Sequence, residues 1–141
     1  MNAASPPPFF SAEPTPRSKP RRPWREKFGD AFRGLKLGVR GHSSFSVHFF
    51  FAALALTAGL AFGCDRLEWA LVIASIGLVL MAELFNSALE SLYHGLDEAN
   101  KPRVQACLDI AAGAVLLASG TALLIGGLVF GSRLANLLTS E

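Results

Sequence analysis

The sequence predicts an all-α membrane fold, with one helix lying on the membrane surface and three crossing it. Three observations lead there. Hydrophobic residues make up 51% of the 141 positions and the mean hydropathy is +0.38, which is high for a chain that must dissolve in water. Three apolar stretches near the length of a bilayer core follow one another. The basic residues are also crowded at one end: nine of the 13 Lys and Arg precede Ser43, although the 13 barely outnumber the 11 Asp and Glu over the whole chain.

Residues 1–23 are rich in Pro, Ser and Arg, and Phe9 and Phe10 are the only large apolar pair. Such a segment cannot bury enough surface to offset its ordering entropy, so a disordered tail is expected there. It also lacks the apolar core of a cleavable signal peptide. From 24 to 40 the apolar residues Trp24, Phe28, Phe32, Leu35 and Val39 recur at steps of three and four. On a helix they fall within roughly 80° of one another. Arg25, Arg33, Lys36 and Arg40 occupy the other faces, the pattern of an amphipathic helix in the membrane interface.

The three apolar stretches run over about 45–62, 69–89 and 110–130, lengths suited to a hydrocarbon core of about 30 Å. The first is interrupted only by Ser46, His48 and Thr57, and the second opens on Trp69, an aromatic suited to the interface. With the N-terminus in the cytosol, Lys101 and Arg103 between the second and third spans are cytoplasmic as well. Eleven basic residues then lie inside, and Arg66 and Arg133 lie outside, as the positive-inside rule expects. Because the basic block leads directly into apolar helices, its expected partner is an anionic membrane surface or a nucleotide phosphate, and not nucleic acid. Cys64 and Cys107 fall on opposite sides of the membrane and cannot pair. Ala114, Ala118, Ala122 and Gly126 form a row of small residues along the third span, which either lets another helix approach closely or reflects the ordinary abundance of Ala in such helices.

The chemistry is concentrated in the second span. Glu83, Asn86, Ser87 and Glu90 interrupt it within about 100° of helical arc, and His94 extends the stripe if the helix continues. Carboxylates at membrane depth cost several kcal/mol and persist where they meet partners or a wet cavity. Hydrogen-bonded glue between helices would explain Asn86 and Ser87 more readily than two acids, because amides and hydroxyls desolvate at lower cost. Two carboxylates beside an amide can divide phosphoryl transfer between them, one taking a hydroxyl proton and the other holding Mg²⁺. Glu83, deeper in the membrane, suits the base, and Glu90, nearer the cytosol, suits the metal ligand.

The segment Glu83-Leu-Phe-Asn-Ser-Ala-Leu-Glu90 resembles the signature of the prokaryotic integral-membrane diacylglycerol and undecaprenol kinases. Leu108-Asp-Ile-Ala-Ala-Gly-Ala-Val-Leu-Leu117 is similar to their second signature, and Phe28-Gly-Asp-Ala-Phe-Arg-Gly-Leu35 and Phe45-Ser-Val-His48 resemble the segments before and into the first span. The resemblance implies a multi-pass protein of the bacterial inner membrane, assembled as a homotrimer with sites between subunits. It implies transfer of the ATP γ-phosphate to a membrane lipid alcohol with Mg²⁺ as cofactor, Glu83 as base, Asn86 on phosphate, Glu90 on the metal, and Asp109 positioning substrate or nucleotide. Lys101 and Arg103 would supply positive charge toward the nucleotide. The segment 109–114, with Ala112 in place of a hydroxyl, looks more like the undecaprenol branch.

Three positions depart from the family pattern. Leu108 stands where a lysine is usual, His42 where a metal-binding glutamate is usual, and His94 where an aspartate is common. These departures are the feature that favours a catalytically impaired relative as the alternative. A polar stripe would also suit a small channel or transporter subunit.

Overall fold

The computed structural model describes residues 23–40 and 44–139, which form four helices: α1 (Trp24–Arg40), α2 (Ser44–Ala61), α3 (Arg66–His94) and α4 (Lys101–Thr139). The tail expected before Pro23, together with His42 and Glu141, lies outside the described residues. Three of the helices, α2, α3 and α4, are long and apolar enough to cross a membrane.

The α2–α3 connection is built from two caps set back to back. Gly63 adopts φ +63°, a region closed to most side chains, so that its N–H reaches Leu60 O at 3.3 Å and the Cys64 N–H reaches Gly59 O at 3.1 Å. Asp65 then caps α3. Its carboxylate accepts from the Leu67 and Glu68 N–H groups at 2.9 and 3.0 Å, and Glu68 accepts from the Asp65 N–H at 2.7 Å.

At the other end, helix continues past both hydropathy limits. α3 runs to His94 and α4 begins at Lys101, so the connection expected between the second and third apolar stretches narrows to residues 95–100. Hydropathy marks the part of a helix that lipid tolerates, whereas backbone hydrogen bonding carries the helix on through polar residues. Pro102 fits in the first turn of α4, where a missing N–H has no cost.

α3 is the centre of the molecule, packing chiefly on α4 and also on α2 and α1. Its buried residues Val72, Ser75, Val79, Glu83, Asn86 and Ser87 share one face, so the polar stripe continues the apolar packing face toward the Gly95 end. Ala111, Ala118 and Val129 of α4 and Phe45 and Gly59 of α2 are buried with it. Of the small-residue row, Ala118 is buried within the protomer, Ala122 and Gly126 are half-buried, and Ala114 is exposed. Glycine sets two close approaches. A Cβ at Gly59 would stand 3.0–3.4 Å from the Trp69 ring, and one at Gly38 would collide with Leu84, which brings α1 against α3.

Outward, Leu116, Leu117, Leu123, Leu124 and Leu128 of α4 are each at least 72% exposed, an inverted distribution that suits a lipid surrounding. Three hydroxyls within the spans are satisfied locally: Thr57, Ser75 and Thr121 donate to Ala53, Leu71 and Leu117 carbonyls at 2.7–2.9 Å. Near the end of α4, Arg133 donates through Nε to both Glu68 oxygens at 2.9 Å and lies 3.4 Å from Asp65 Oδ2, and Nη2 makes a further short contact to Glu68. This clasp ties α4 to the start of α3.

Candidate active site

Glu83 is 3% exposed, Asn86 8% and Ser87 1%, while Glu90 is half-buried toward the end of the stripe. Seven residues separate the two acids, so along the axis they stand about 10 Å apart. The Asn86 Nδ2 donates to Glu90 Oε1 at 2.9 Å, one helical turn apart. That bond uses the Asn86 amide nitrogen and leaves its carbonyl oxygen as an acceptor facing the stripe.

Glu83 meets a different partner. His48 of α2 places Nε2 3.7 Å from Glu83 Oε2, with the two side chains 18% and 4% exposed. At that distance the pair makes no direct hydrogen bond, though a small approach or one bridging water would complete one. Ser87, between the acids in sequence, has a buried Oγ with no hydrogen-bond partner among the described residues, although its carbonyl accepts from Ser91 Oγ at 2.9 Å. An orphaned hydroxyl beside two acids marks an incompletely satisfied polar surface.

His48 also lines a crevice of about 650 Å³ between α2 and α4, which runs over Val72, Ser75 and Val79 of α3 to Phe62 and Phe130. Those two rings stand 6.0 Å apart at its far end. Its walls are otherwise nearly all apolar, and the Ser75 hydroxyl in them is occupied by Leu71 O.

The remaining expected residues lie on or beside α4. Asp109 is exposed and accepts from Gln105 Nε2 at 3.2 Å. Lys101 pairs with Glu98 and lies 5.7 Å from the Tyr93 ring centre, and Arg103 is exposed. Leu108 is half-buried, and His94, though still helical, is exposed at the end of α3. The structure therefore joins Asn86 to Glu90 directly and places Asp109 and Lys101 in local contacts of their own. His48 is the residue that sequence reasoning passed over; the signal was a titratable ring inside an otherwise apolar span.

Among the described residues there is no group of three or more His, Cys, Asp and Glu able to hold a metal alone. Mg²⁺ in nucleotide sites uses one or two carboxylates and completes its shell with phosphate oxygens and water. Glu90, a half-buried carboxylate toward the end of the stripe, is of the chemical type that meets that modest demand.

Residues 29–130 match the family model described as Prokaryotic diacylglycerol kinase. An undecaprenol kinase of Bacillus subtilis is 30% identical over 105 residues, covering 74% of this chain and 85% of the relative. A diacylglycerol kinase of Synechocystis sp. is 28% identical over 152 aligned positions, covering 94% of this chain and 83% of the relative. No solved structure matches.

Proposed function

Because the chain belongs to the prokaryotic diacylglycerol kinase family and is a membrane protein, we propose that it transfers the γ-phosphate of ATP to the hydroxyl of a membrane lipid. The observation that carries this reading is the buried Glu83, 3.7 Å from the His48 ring that lines an apolar crevice, on the same helical face as the Asn86–Glu90 pair.

In this reading Glu83 accepts the proton of the lipid hydroxyl as its oxygen bonds to the γ-phosphorus. The bond from that phosphorus to the β–γ bridging oxygen breaks, ADP departs, and the proton on Glu83 is later returned to water. Asn86 orients Glu90 and offers an amide to phosphate. Mg²⁺, held by Glu90, would supply charge neutralisation on the phosphates when bound. Asp109, Lys101 and Arg103, near the start of α4, would face the nucleotide from the cytosol.

The N-terminus and the 95–100 connection are cytoplasmic in this proposal, with the protein in the bacterial inner membrane and α1 lying in the interface. α1 suits that place because Trp24, Phe28 and Phe32 are exposed together while Arg25, Arg33, Lys36 and Arg40 occupy other faces of the helix. A homotrimer is proposed as the working assembly, since one protomer leaves Ser87 unsatisfied and the outer face of α4 bare. The two named relatives act on different lipid alcohols by their names. The segment 109–114, with Ala112 in place of a hydroxyl, supports undecaprenol over diacylglycerol as the acceptor.

The test uses purified full-length protein in detergent with radiolabelled ATP, Mg²⁺, and a panel of undecaprenol, diacylglycerol and ceramide. Label entering a lipid only when Mg²⁺ is present is the expected result. Label in none of the three removes the kinase reading.

A further inference from the structure

We propose that His48, in the wall of the α2–α4 crevice, is a positioning residue for Glu83, holding the carboxylate in the orientation that receives the acceptor's proton. This rests on the role given to Glu83 above. The argument begins with where His48 lies. On α2 the residues turned inward are Phe45, His48, Ala52, Ala55, Ala58 and Gly59, one face of the helix, so the imidazole occupies a packing position. A polar ring in such a row is costly without a partner.

Glu83 occupies the equivalent place on the packing face of α3 and faces the same cost. Each lies on a different helix, and they meet at 3.7 Å across the α2–α3 interface. Asn86, the nearest amide on the stripe, is committed to Glu90 and does not relieve Glu83. Among the described residues His48 is therefore the polar side chain that faces Glu83 from α2, and its ring also forms part of the crevice wall. A group that touches both the base and the proposed path of the lipid tail can set where the base sits relative to the incoming hydroxyl. Catalytic hydrogen bonds that are long in a free enzyme commonly shorten when substrate fills the site, so the 3.7 Å gap suits a contact completed on binding.

Two substitutions separate donation from bulk. His48→Phe keeps the ring volume and removes the donor, whereas His48→Gln keeps an N–H group at similar reach. With undecaprenol as acceptor, His48→Phe is expected to lower kcat by about 10- to 100-fold, the scale of a misplacement near 1 Å, with KM for ATP unchanged. His48→Gln is expected to recover most of that loss. Because His48 acts through Glu83, adding His48→Phe to Glu83→Gln should cause no further fall. Wild-type kcat in His48→Phe, equal impairment of the Gln and Phe variants, or a further fall in the double variant would each overturn the proposal.

Thermal unfolding of the wild type, the two single variants and the double variant gives a readout independent of turnover. A non-additive Tm change is expected from the contact, and additive changes overturn it. Absence of lipid phosphorylation by the wild type would instead strike the kinase reading and leave the contact to be judged by this cycle.

Discussion

The two polar regions of this molecule lie at opposite ends of α3 and are built in opposite ways. At the start of α3, Asp65, Glu68 and Arg133 satisfy one another and the helix terminus through a capping box and a forked ion pair. Toward its other end, Glu83 is more deeply buried than any of those three yet meets His48 beyond hydrogen-bond length, and Ser87 Oγ has no partner among the described residues. A saturated polar cluster holds structure; an unsaturated one at greater desolvation cost needs another reason to exist, and a substrate supplies it. The difference between the ends is thus a difference in how completely polarity is matched.

The sharpest way to break this comparison is Glu83→Gln. The amide keeps the shape and removes the proton acceptor, so kcat should fall by roughly two to four orders of magnitude while Tm holds or rises. A stable variant with full turnover would make the stripe ordinary helix glue. Glu90→Gln should act next most strongly and differently: Mg²⁺-dependent ATP binding weakens, and excess Mg²⁺ restores part of it. A titration showing the same Mg²⁺ dependence as the wild type would remove Glu90 from the metal.

The saturated end should respond in stability alone. Gly59→Val drives methyl groups into the Trp69 ring and should cost about 1–3 kcal/mol, as overpacked sites do, without changing kcat in the folded fraction. Arg133→Met should lower Tm by a few degrees, because the clasp is partly open to solvent. Loss of turnover in proportion greater than loss of folded protein, for either variant, would blur the division.

The smallest effect is chemical and uses the native cysteines. Desolvation first, and then the Glu68 carboxylate, push the Cys64 thiol above its ordinary range, so at neutral pH it holds less thiolate and should react slowly with a maleimide. Its rate should climb as pH rises. Cys107 is exposed in the first turns of α4. An impermeant reagent added to spheroplasts should reach Cys64 and spare Cys107, and the reverse pattern would invert the proposed orientation.

Much of this was legible because lipid enforces simple rules. Apolar run lengths located α2 and the lipid-facing parts of α3 and α4, and the three- and four-residue steps located α1. The ends of α3 and α4 were not legible: Ser91, Lys101 and Arg103 are polar, and polarity alone does not distinguish a helix emerging into water from a loop. The stripe of Glu83, Asn86, Ser87 and Glu90 could be read because its members lie on one helix, where spacing fixes their common face. His48 could not be joined to Glu83 by the same reasoning, since the rotation of α2 against α3 depends on packing at Phe45, Gly59 and Trp69 rather than on spacing within either helix.

The lengths of the helices have a consequence for the site. α2 has 18 residues and extends about 27 Å, close to the thickness of the hydrocarbon it must cross, whereas α3 and α4, at 29 and 39 residues, extend about 44 and 58 Å. Only the longer two can slide along the bilayer normal and still span it. α2 therefore acts as the depth gauge of the molecule, and His48 sits about 6 Å along it from Ser44. A thicker bilayer must thin around α2 or shift it against the longer helices, and a shift of α2 would move the imidazole relative to the carboxylate on α3. In the proposed kinase, that short helix would carry the thickness of the surrounding lipid to the base.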